Sequence, residues 1–190
     1  MEFKVLGELY ICCALFFIKS KVSDVTDEVI IKQLGVSKIK QLTSKAAILD
    51  DDLWPKVSVF NDNDWVCILD DFYGLCNLHW DNPNRKLVFQ KLSKAIGDVM
   101  IMGTFSEVVD AFTFEYFKNG KQIRDIDCET FDYRDKSVFN IKETGDGERL
   151  KELPKILDFD KRSEYIKTVA ANFGITLPKD ISHGRFYSIA

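Results

Sequence analysis

Three stretches of the chain place apolar residues at helical spacing and finish on glycine. In the first, Ser23-Asp24 offers an N-cap, Val25, Val29, Ile30 and Leu34 form the stripe, and Gly35 stands at the C-terminal cap position. The second opens at Asn82-Pro83, runs through Leu87, Val88, Leu92 and Ile96, and stops at Gly97. The third begins near Asp158 or Asp160, gathers Tyr165, Ile166, Val169, Ala170 and Phe173 on one side, and ends at Gly174. Between these lie runs rich in β-branched and aromatic residues: 9–18, 56–60, 65–69, 99–105, 111–117 and 122–128, with a further short run at 138–141.

Asn119-Gly120 separates two of the aromatic runs and predicts a hairpin. A two-residue loop would set Phe114 against Asp125, whereas a three-residue loop over 119–121 sets Phe114 against Ile126 and Phe112 against Cys128. The second register keeps one face apolar and is preferred. Consecutive strands joined by short connections predict an α+β fold, with a largely antiparallel twisted sheet of about five to seven strands and about three helices on one face. No Pro/Ser-rich linker divides the chain, so residues 1–177 are expected to form one domain and 178–190 a loosely docked tail.

The apolar run at 9–18 is too short to span a bilayer, and Glu2 and Glu8 stand where a secretory signal would carry basic residues. A buried strand in a cytoplasmic protein with no membrane partner is the expectation. Composition supports a real core: 190 residues, 46% hydrophobic, with only 10 Gly and 4 Pro. Aromatic residues make up 13%, a large apolar supply of which part is available to face a partner. The five cysteines, Cys12, Cys13, Cys67, Cys76 and Cys128, contain no Cys-x-x-Cys pair, so they predict neither a disulfide framework nor a zinc ribbon.

The net charge of −4 excludes a generic nucleic-acid-binding arm and is unevenly distributed. Between Asp50 and Asp81 stand eight aspartates against Lys56 alone, a net −7 that leaves +3 for the remainder, and the same stretch holds Trp54, Trp65 and Trp80, all three tryptophans. Carboxylates interleaved with aromatics suit a surface that attracts a cationic partner and anchors it hydrophobically. With Trp65 assigned to a strand core, Asp62, Asp64, Asp71, Asp81, Trp54 and Trp80 become the candidate partner-binding residues. A plainer account also fits: Asp62 and Asp64 fill a turn, Asp70 and Asp71 end a strand, and the tryptophans are core.

Enzymatic readings of the same stretch are weaker. Asp70 and Asp71 with a neighbouring Asp would offer hard oxygen ligands to Mg²⁺ or Mn²⁺, as in a metal-dependent hydrolase or nuclease, but adjacent strand residues point to opposite faces. Cys76-x-x-His79 lacks a second ligand pair, and Ser182-His183 lies in no nucleophile motif. No phosphate-binding glycine loop occurs. Neither a catalytic residue nor a cofactor or metal is therefore expected, and self-assembly through exposed Phe residues is a further alternative.

The run from Asp64 to Asp71, the strand 99–105, the hairpin 112–124 around Asn119-Gly120, and the closing Phe173-Gly-Ile175 together resemble, in their order, small bacterial α+β immunity proteins of toxin and interbacterial-competition loci. The resemblance spans about residues 54–175 and rests on element order. It implies a cytoplasmic protein that binds and blocks a cognate toxin and has no catalytic residues of its own. It assigns no binding residues.

Overall fold

The structure is a computed structural model and describes residues 12–21, 25–44, 55–71, 75, 83–105, 111–130, 139–145, 171–172, 174 and 184–190. Among the described residues nine strands form one sheet: β1 (Cys12–Ser20), β2 (Ile39–Leu42), β3 (Lys56–Asp62), β4 (Trp65–Asp71), β5 (Gly97–Phe105), β6 (Ala111–Lys118), β7 (Lys121–Thr130), β8 (Phe139–Gly145) and β9 (Arg185–Ile189). Two helices are described, α1 (Asp27–Gln33) and α2 (Arg85–Ala95). The spatial order is β2-β9-β3-β4-β1-β5-β6-β7-β8, with every neighbouring pair antiparallel.

β1 takes the middle of the sheet, between β4 and β5. That position explains its unbroken apolar run, because a central strand covered on both faces has no polar side to present. Ala14, Phe16 and Ile18 join the core beneath the helices, with Ile68 of β4 and Val99 of β5. Leu15 and Phe17 alternate to the other face, level with Leu69, Cys67 and Met100, and all of these are buried too. Both faces at the centre of the sheet are closed to solvent.

The helices reach the first face with stripes that differ from the spacing-based expectation. In α1 the N-cap is Thr26, whose Oγ1 accepts the Val29 N–H. Ile30, Ile31 and Leu34 are the buried residues, whereas Val29 stands exposed. In α2 Phe89 and Leu92 point inward and Leu87 outward. The Phe89 ring sits 6.2 Å from Phe16 and 5.6 Å from Phe117, so one aromatic side chain fastens the helix across two strands. The expected third helix falls outside the described residues, except for Ala171, Asn172 and Gly174.

The β6–β7 hairpin reaches the expected pairing by a different route. Phe114 faces Ile126 and Phe112 faces Cys128, but the loop is the two-residue Asn119-Gly120, with Lys118 opposite Lys121 and Phe117 opposite Gln122. A bulge next to Phe117 shifts the register, because Tyr116 faces Arg124 and Ile123 is the extra residue. Gly145 of β8 receives that bulge: at φ +110° it lies so close that a Cβ would collide with the Ile123 carbonyl.

The sheet is larger than the five to seven strands expected. The four residues of β2 are too few to display a period, and β9 lies in the stretch read as a tail. Residues 185–189 in fact form an interior strand, paired with β2 on one side and β3 on the other, with Phe186, Tyr187 and Ile189 buried. A charged cluster secures it. Arg185 pairs through Nε and Nη2 with the Asp27 carboxylate on α1, and its Nη2 also donates to Asn61 Oδ1 at 3.0 Å. The Tyr187 hydroxyl donates to the same carboxylate at 2.8 Å.

Candidate functional site

β3 and β4 are joined by the two-residue turn Asn63-Asp64, with Asn63 at φ 51°. Asn tolerates that left-handed conformation better than most residues, so the local sequence suits a tight turn. The turn holds Asp64 outward with 74% of its side chain exposed, 3.3 Å from the Lys19 ammonium. Asp62 closes β3 opposite Trp65. Trp65 is buried, and Lys19 Nζ lies 5.7 Å from its ring centroid, a cation–π contact at the rim of the core.

Of the six candidate partner-binding residues, the structure therefore brings Asp62 and Asp64 together at one end of the sheet. Asp71 lies at the opposite end of β4, paired with Cys13, about 20 Å along the strand from Trp65. Trp54, Trp80 and Asp81 lie outside the described residues, as do Cys76, His79, Ser182 and His183. The plainer account of the acidic stretch is realised at each described position: Asp62 and Asp64 sit at a turn, Asp70 and Asp71 end a strand, and Trp65 is core.

Asp70 is turned inward. It is fully buried, and its Oδ1 accepts the Leu75 N–H at 2.9 Å. The hydrolase reading needs this carboxylate at an accessible ion, whereas here it completes the hydrogen bonding of a backbone amide inside the molecule. Among the described residues no three His, Cys, Asp or Glu side chains gather as a metal site.

Sequence reasoning missed the charges that surround the Asp62–Asp64 turn. The backbone register lines up Asp62, Trp65, Lys19 and Asp98 across β3, β4, β1 and β5. Lys118 of β6 continues the row, with its Nζ 3.6 Å from Asp98 Oδ2, and Lys121 stands opposite it on β7. Lys21 reaches in from the end of β1, 3.9 Å from Asp98 Oδ1, and donates to Asn119 Oδ1 at 2.8 Å. Asp98 is only 8% exposed and also accepts the Tyr116 hydroxyl at 2.9 Å. Burial first, then that hydrogen bond and the charge of Asp98, hold the Tyr116 hydroxyl above the ordinary phenol range. The only local trace of this cluster was Lys19 ending an apolar run; the rest depends on β1 lying between β4 and β5.

Other polar side chains stitch elements together. Arg85 pairs with the buried Glu115, which also accepts from Gln122 Nε2 at 3.2 Å, and Lys86 donates to Asp125 at 3.0 Å, so the start of α2 is tied to β6 and β7. Among the described residues no helix is long and apolar enough to cross a membrane. No family model matches the chain, and no curated protein or solved structure matches it either.

Proposed function

We propose that the protein is a non-enzymatic binding module that docks a basic protein partner on the acidic end of the β3–β4 hairpin, in the manner of a cytoplasmic immunity protein covering a cationic toxin such as a nuclease. The observation that carries this reading is the Asn63-Asp64 turn. It presents Asp64 to solvent on a two-residue connection, its carboxylate beside Lys19 yet 74% exposed, with Asp62 two residues before it at the end of β3. A carboxylate held on a sheet needs little ordering when a cation arrives, so less binding energy is lost to entropy. Asp81, Trp54 and Trp80 extend the same proposal to the rest of the acidic stretch, and Asp71, at the far end of β4, joins it only for a partner that spans about 20 Å of strand. The resemblance of the sequence pattern over about residues 54–175 to small immunity proteins points the same way.

The test is affinity capture from the source cell with the wild-type chain and with Asp62→Lys/Asp64→Lys, followed by association kinetics of the captured protein at low and high salt. The expected result is a basic partner whose association with the variant is slower by about tenfold or more and less dependent on salt. Equal capture and equal rates for the two chains would remove the reading.

A further inference from the structure

The proposed docking end is not uniformly acidic, and this constrains the partner. Lys19, Lys21, Lys118 and Lys121 stand beside Asp62, Asp64 and Asp98 at the same end of the sheet. Asp64 of the hairpin touches Lys19 on the neighbouring strand, whereas Lys118 on β6 lies three strand spacings from β4, about 14 Å. Resting on the reading above, we propose that this end is a dipolar docking surface, and that its occupant is a protein surface carrying an acidic patch beside its basic one. The basic patch would face the Asp62–Asp64 turn, and the acidic patch would face Lys21 and Lys118.

Three observations support the lysine half. The side chains of Lys21 and Lys118 are 57% and 49% exposed, so both ammonium groups remain open to a partner while touching Asp98. Asp98 engages both at 3.6–3.9 Å, longer than a hydrogen bond, and its Oδ1 has no hydrogen-bond partner. One buried carboxylate therefore holds two lysines in place without neutralising both. Lys121, exposed beside Lys118, adds a further positive charge that this carboxylate does not offset. A protein surface of mixed sign fits this row better than a polyanion does. A nucleic-acid backbone laid along the lysines would meet Asp98 between them and Asp64 beyond Lys19, within a chain of net charge −4.

Two synthetic peptides make the distinction on the full chain. The dipolar one joins a run of four lysines to a run of four glutamates through three Gly-Ser repeats, a flexible spacer of roughly 13 Å. The uniformly basic one carries lysines in both runs. Affinities and perturbed backbone amides are read by ¹⁵N NMR titration, with a short DNA duplex as a third ligand. The dipolar peptide is expected to bind about tenfold tighter than the basic one, perturbing amides of 62–65 together with 19–21 and 118–121. In Lys21→Gln/Lys118→Gln, which removes both cations beside the buried Asp98 and is therefore checked for folding by circular dichroism alongside the single variants, the preference should disappear or reverse. A basic peptide that binds the wild type as tightly as the dipolar one overturns the inference while leaving the acidic turn as a site. Tighter binding of the duplex at the lysines overturns it in favour of a polyanion. If neither peptide perturbs 62–65, the acidic docking reading fails, and the inference fails with it.

Discussion

Among the described residues Asp70 is the most deeply buried acid, and its carboxylate receives the Leu75 N–H. Asp70→Ala leaves that amide without its acceptor and should cost about 1–3 kcal/mol, measured as a lower urea midpoint at constant slope. An unchanged midpoint would mean that the hydrogen bond contributes nothing net. Tyr187 makes a second prediction, for alkaline solution. Burial first, and then its hydrogen bond to Asp27, push its hydroxyl up to about 12 from the ordinary 10. A raised value means the neutral phenol is the form favoured by folding. The stabilisation is complete below pH 10 and is lost as pH rises through 12. Tyr187→Phe should therefore lower the thermal midpoint at pH 8 and narrow its gap to the wild type as pH climbs toward 12. A gap independent of pH would show that the hydroxyl is not the cause.

At the scale of elements, the last strand matters out of proportion to its length. Among the described strands, β9 is the sole sheet neighbour of β2 and one of the two neighbours of β3, and the Arg185–Asp27 pair ties it to α1. Arg185→Leu removes charge-assisted hydrogen bonds to Asp27 and one to Asn61, which predicts a loss of about 2–3 kcal/mol. It also predicts that amide exchange speeds up selectively in β2 and β9 while β5 and β6 stay protected, since this corner can open by itself. Uniform acceleration across the sheet would contradict a local role. This corner was also the least legible part of the sequence. Long strands such as β1 and β5 announce themselves through continuous apolar runs, and Asn119-Gly120 marks its hairpin. Arg-Phe-Tyr-Ser-Ile at 185–189 has only five residues, and nothing local says that both of its edges are paired. The same limit explains α1, where Val29 fits the helical spacing but Ile31 takes the buried place because of where the sheet lies.

Across the whole molecule, connectivity separates what is local from what is not. The hairpins β3–β4 and β6–β7 join sequence neighbours, and both were foreseeable, as was the pairing of Phe114 with Ile126. The lysine row of the candidate site was not, because it exists only once β1 has inserted between β4 and β5, two strands far along the chain. Insertion of that strand closes long loops before any contact it makes is rewarded, so folding should be slow for a chain of this size, in milliseconds to seconds. Phe16 and Phe17, both buried and on opposite faces of β1, report on this step. Phe16→Ala should cost about 3–5 kcal/mol at equilibrium. If insertion of β1 is part of the transition state, much of that cost will appear as slower refolding in stopped-flow fluorescence. If β1 docks after the barrier, refolding keeps its rate and unfolding accelerates instead. In that case the β3–β4 hairpin, with its acidic turn, would form before the lysines of β1 arrive beside it, and the two halves of the dipolar end would be separable stages of folding.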